Sequence, residues 1–86
     1  MTQQGLTIPQ FRLASLMNRI SRVHMTAHGD GFVIGGMLRG GTPVVLVRRA
    51  DKQPRVFVKP FTAIKLLHDM GVESLKLELS DWEPGQ

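Results

Sequence analysis

Cysteine and tyrosine are both absent from the 86 residues of this chain, and long apolar runs are absent as well. Without cysteine there is no disulfide framework, zinc ribbon, iron–sulfur ligation or thiol catalysis; without tyrosine there is no phenolic nucleophile. The longest apolar stretches are four or five residues, Val44-Val45-Leu46-Val47 among them, and Met1-Thr2-Gln3-Gln4-Gly5 carries no charged side chain. Neither a membrane span nor a signal peptide is expected, and the expected location is the cytoplasm. Acidic residues are scarce over most of the chain: residues 1–68 carry only Asp30 and Asp51 against ten Lys and Arg, a local charge of +8. Residues 69–86 carry Lys76 against Asp69, Glu73, Glu78, Asp81 and Glu83, a local charge of −4.

What is present is an ordinary globular composition, 42% hydrophobic and 21% charged. A chain of this length builds one small core, so residues 1–86 are expected to form a single domain with irregular tails at 1–6 and 81–86. A basic body with an acidic end attracts polyanions, and Arg outnumbers Lys seven to four, which suits bidentate recognition of phosphate.

The strongest local signal lies at Leu6-Thr7-Ile8-Pro9-Gln10-Phe11. Thr7 and Gln10 have capping-box spacing, Pro9 sits in a first turn, and Leu6 and Phe11 occupy the positions of a hydrophobic staple. The spacing predicts a helix from Ile8 to the Gly29-Asp30-Gly31 turn, with Leu13, Leu16, Met17, Ile20, Val23, His24 and Ala27 on an apolar arc. Arg12, Ser15, Arg19, Arg22 and Thr26 form a second, arginine-bearing stripe. From Phe32 the period changes to two, and Gly40-Gly41 separates two strands as a hairpin turn. Val44–Arg49 and Arg55–Lys59, joined through Asp51-Lys52-Gln53-Pro54, complete a three-stranded meander. Thr62 is the expected cap of a second helix ending at Gly71, and Leu75, Leu77 and Leu79 alternate as a final strand. The expected class is α+β, in the order α-β-β-β-α-β, with an antiparallel sheet packed against a long N-terminal helix and a short second one.

The residues offer four kinds of site. Arg55, Phe57 and Lys59 share a strand face in a cation–aromatic–cation pattern that contacts phosphates and stacks a base; Arg48, Arg49 and Lys52 precede them. With Arg12, Arg19 and Arg22 as backbone support, these residues form the expected nucleic-acid surface, most simply for DNA, with Phe57 as stacking or wedge residue. The alternative for the same residues is a core Phe57 beneath a helix and solvated cations. His24 and His28, four apart on a helix, would lie on one face and offer two metal ligands, with Asp30 or His68 needed to close a site; a hydrogen-bonded core histidine is the commoner outcome, and no metal or other cofactor is expected. The glycines at 29, 31 and 35 lack the dinucleotide spacing, and Gly40-Gly41 lacks the Lys-Ser/Thr of a P-loop. Gly35-Gly36 inside a strand marks a bulge or a close backbone approach. No nucleophile elbow or base-plus-orienter spacing is present, so no enzyme is expected.

From Arg55 onward, Arg-Val-Phe-Val-Lys-Pro-Phe-Thr-Ala-Ile-Lys-Leu-Leu-His-Asp-Met-Gly-Val and then Leu-Lys-Leu-Glu-Leu-Ser-Asp-Trp resemble the C-terminal half of small proteins carried on plasmids and integrative elements, some of them partition-associated. That resemblance implies DNA maintenance or regulation on a mobile element and transfers no site residue. The order α-β-β-β-α is also that of double-stranded-RNA-binding domains. Their basic run at the start of the second helix is missing, since Lys59 and Lys65 flank apolar Phe61, Ala63 and Ile64. The rival to nucleic-acid binding is a protein-interaction module or homodimer using Val44–Val47, apolar on both faces, because one small chain has little with which to cover both sides of a sheet.

Overall fold

A capped first turn opens the main body. In the computed structural model, which describes residues 3–82, the Thr7 N–H donates to Gln10 Oε1 at 2.9 Å, and Leu6 and Phe11 both enter the core as the staple requires. The chain then runs β1 (Gln4–Leu6), α1 (Ile8–Leu16), β2 (Ile20–His28), β3 (Gly31–Leu38), β4 (Pro43–Leu46), β5 (Val56–Phe57), α2 (Pro60–Asp69) and β6 (Lys76–Glu78). This is an α+β fold with one mixed sheet in the order β1-β4-β3-β2-β6, with β5 also paired to β3. The β1–β4 and β2–β6 pairs are parallel and the rest antiparallel, so the sheet is not the wholly antiparallel one expected.

The long N-terminal helix is corrected to two elements. Asn18 takes φ +58, a conformation Asn tolerates better than most side chains, and α1 stops after Leu16. Residues 20–28 also carry a period of two: Val23, Met25 and Ala27 point to the core, while Arg22, His24, Thr26 and His28 point away. β-Branched Ile20, Val23 and Thr26 favour the strand, and β2 pairs along nearly the whole of β3. Gly29, with φ +64, is therefore the first residue of a two-residue hairpin turn between paired His28 and Gly31, not a helix stop. With α1 so short, Ile8 and Phe11 set its buried face, and Leu13, Leu16 and Met17 are left 59%, 65% and 52% exposed.

Residues 4–6, expected as tail, form β1 beside β4. Trp82 packs its ring on Phe32, with 5.6 Å between centroids; residues 83–86 of the expected C-terminal tail lie outside the described residues. The second helix begins one turn earlier than Thr62 would place it, with Lys59 as N-cap and Pro60 at the first helical position, where its fixed φ is favourable.

β4 and β5 do not form a hairpin ladder with each other. Both pair with the same side of β3, at Met37–Gly35 and at Val33–Phe32 respectively, and residues 47–55 leave the ladder between them as an excursion pinched by a Val47–Pro54 bridge. The Arg48 N–H donates to Gln53 O at 2.8 Å and the Arg55 N–H to Leu46 O at 3.0 Å, closing its neck.

By pairing register, β1, β2, β5 and β6 all run the same way. β1-α1-β2 and β5-α2-β6 are thus two parallel crossovers that travel in the same direction across the sheet. Crossovers of one hand and direction put their helices on one face. Accordingly Phe11 of α1 and Ala63, Leu67 and Met70 of α2 join Met25, Phe32, Ile34, Val44, Leu46 and Phe57 in one core. Among the described residues the opposite face carries the excursion in place of a helix.

Candidate nucleic-acid interface

The sheet ladder explains where each cation goes. The 47–55 excursion carries Arg48, Arg49, Lys52 and Arg55 with Asp51 as its one anion, and residues 48–55 are exposed throughout. Arg48 is committed inside it: its Nε donates to Asp51 Oδ1 at 3.0 Å and its Nη2 to Oδ2 at 2.5 Å. The Gln53 N–H reaches Asp51 Oδ1 at 3.1 Å. The Gln53 N–H, followed by the Arg48 guanidinium, holds the Asp51 carboxyl below its ordinary 3.8. Arg48 is thus a brace for the loop, and Arg49 and Lys52 stand exposed near its tip.

Phe57 is not the stacking residue. It is 8% exposed and sits in the core opposite Phe32, because its alternation places it on the helix-covered face. Arg55 shares that face and lays its guanidinium 5.8 Å from the Phe57 centroid, a cation–π contact at the rim. Lys59, exposed, caps α2.

The arginine stripe does not exist as a stripe, because the helix that would carry it is divided. Arg12 is on α1, Arg19 in the following turn and Arg22 on β2, in line with His24. Arg39, outside the expected nucleic-acid surface, joins this corner. Its backbone N–H donates to Arg19 O at 2.8 Å and its guanidinium holds Asn18 through O at 2.6 Å and Oδ1 at 3.1 Å. Only the β2–β3 pairing reveals it, since Arg19 and Arg39 are far apart in the chain.

Among the described residues the ion pairs of the acidic end involve Lys65 with Asp69 at 3.8 Å and Lys76 with Glu78 at 2.9 Å, not the excursion. Arg49, Lys52, Arg55, Lys59, Arg12, Arg19 and Arg22 have no ion pair among the described residues.

His24 and His28 are on a strand, so their four-residue spacing separates them by about 13 Å instead of stacking them. No group of three His, Cys, Asp or Glu side chains suited to a metal occurs among the described residues. The two strand glycines have specific neighbours. A Cβ on Gly36 would lie 2.5 Å from Arg22 O, where β2 shifts register; one on Gly35 would lie 2.6 Å from His24 Nε2. Gly36 therefore admits the bulge, and Gly35 admits the His24 ring.

Above Gly35, on the face without helices, is an open hollow of about 610 Å³. Val33, Gly35 and Val45 floor it, His24 and Thr26 line the β2 side, and Arg48 and Gln53 line the excursion side.

Val44–Val47 offers no free apolar face. All four residues are buried, at 0%, 8%, 0% and 4% exposure, because β4 lies between β1 and β3, with the helices on one side and the excursion neck on the other. No helix among the described residues is long and apolar enough to cross a membrane. Comparison with known proteins finds no matching family model, no matching curated protein and no matching solved structure.

Proposed function

We propose that this protein binds nucleic acid, DNA in the simplest case, without catalysing a reaction on it. The carrying observation is the 47–55 excursion, exposed from Arg48 to Arg55, with four cations and one carboxylate that is already taken up by Arg48 and Gln53. Arg49 and Lys52 are the primary phosphate contacts, Arg55 and Lys59 extend them toward α2, and Arg22 with Arg19 and Arg12 supplies secondary contacts. The resemblance of the segment from Arg55 onward to partition-associated proteins fits a role in maintaining or regulating a mobile element. Two of the four serines commit their hydroxyls to the backbone: Ser15 Oγ donates to Met70 O at 3.0 Å and Ser21 Oγ to Met37 O at 3.1 Å.

With five of these seven cations on phosphates, the log–log salt slope is about −3.5 on a single strand and about −4.5 on duplex. Titration of a labelled oligonucleotide at several salt concentrations measures it, and a flat response refutes the reading. Exchanging Arg49 and Lys52 together for Ala weakens binding and flattens the slope by about two units.

A second reading, self-association, is favoured by a different feature from the one expected. Leu13 and Leu16 of α1 and Met17 just after it are exposed apolar side chains, whereas Val44–Val47 is enclosed. Sedimentation across a concentration series separates a homodimer from a monomeric binder.

A further inference from the structure

The hollow over Gly35 gives the nucleic-acid reading a definite substrate class. None of the five aromatic residues contributes a ring to it: Phe11, Phe32 and Phe57 are in the core, Trp82 packs on Phe32 and Phe61 is on α2. Two imidazoles line it, His24 and His28, and His24 is the one against the floor: its Nε2 would lie 2.6 Å from a Cβ at position 35. The remainder of the floor is apolar Val33 and Val45, and the rim on the excursion side carries Arg48 and Gln53, next to Arg49 and Lys52. A ring, an apolar bed and adjacent cations are what an unstacked base with its flanking phosphates requires. The volume falls in the range of small-ligand clefts, about 300–1,000 Å³. A duplex keeps its bases stacked and offers only groove edges, so no base of a duplex reaches that floor.

We infer that the hollow between His24 and the excursion seats an unstacked base, so that the protein prefers single-stranded to duplex nucleic acid. This rests on the nucleic-acid reading and adds to it the form of the ligand. Phosphates on either side of the seated base run along Arg49 and Lys52, while Gln53 and Thr26 supply hydrogen-bonding groups for base edges.

Fluorescence anisotropy with a labelled oligothymidine and with a duplex of equal length, at one salt concentration, tests it. Wild type is expected to bind the single strand about tenfold more tightly, and His24→Leu, which fills the space over Gly35 without a ring, to lose about tenfold on the single strand alone. His24→Phe restores the preference, and Arg49→Ala with Lys52→Ala weakens both probes. Equal affinity of wild type for the two probes, or equal losses on both with His24→Leu, overturns the inference and leaves nucleic-acid binding standing. No binding of either probe overturns both. Circular dichroism of the Leu and Phe variants verifies that each is folded before its affinity is read.

Discussion

The two faces of the one sheet are built from alternate residues of the same strands and serve different ends. On the helix side Met25, Ile34, Val44 and Leu46 are fully buried. On the other, His24, Thr26 and Val33 of neighbouring rungs are only half-buried, and glycine stands where a side chain would fill the space. The difference teaches that closure of one face by both helices leaves the second free to be shaped by a loop and to hold a polar ring. Apolar burial supports the first face and access defines the second.

The sharpest way to break that contrast is to truncate one residue on each face. Phe11→Ala is expected to cost about 3–5 kcal/mol and Ile34→Ala about 2–5 kcal/mol in urea unfolding, much of the stability of so small a domain. His24→Ala is expected to cost less than about 1 kcal/mol; a loss equal to that of Ile34→Ala would make the open face part of the core. A smaller effect separates the two glycines. Gly36→Ala meets the backbone oxygen of Arg22, which cannot swing aside, and overpacking of about 1–3 kcal/mol is expected. Gly35→Ala meets mainly the movable tip of His24, so removing that ring in the double variant should recover at least about 0.5 kcal/mol of its cost. If the double variant recovers nothing, the Gly35–His24 fit is not what sets that position.

The smallest effect belongs to the loop that borders the open face. Because the folded Asp51 carboxyl titrates below 3.8, its stabilising contribution is complete above that value and is lost as pH falls through the lowered folded value. Carbon-detected NMR titration should place the Asp51 midpoint below 3.8 in wild type and raise it toward 3.8 in Arg48→Ala. An unchanged midpoint in that variant would remove Arg48 as the brace.

Much of the frame was legible from local pattern. The cap at Thr7, the strand after Gly31, the Gly40-Gly41 turn, the end of the second helix before Gly71 and the short last strand each follow from spacing and turn chemistry that depend on neighbours in the chain; the start of that helix at Pro60, ahead of Thr62, does not. Residues 20–28 fit two periods at once: Ile20, Val23, His24 and Ala27 satisfy the expected helical arc while Val23, Met25 and Ala27 satisfy the strand they form. β1 was missed because Gln4-Gly5-Leu6 holds too few residues to show any period. For the candidate site, the cations of the excursion were visible as a cluster, but the burial of Phe57, the commitment of Arg48 to Asp51 and the approach of Arg39 to Arg19 depend on pairing partners elsewhere in the chain.

Composition and local pattern alone thus determined an α+β domain with a basic body, where turns fall and that a second helix stops before Gly71, because those outcomes depend on residues within a few positions of one another. Tertiary structure decided that residues 20–28 extend, since β3 has backbone donors and acceptors along that edge and a strand satisfies them rung by rung. It also decided that both helices share one face, since the two crossovers run the same way across the sheet. The open face, the hollow over Gly35 and the ring that stands in it all descend from that placement.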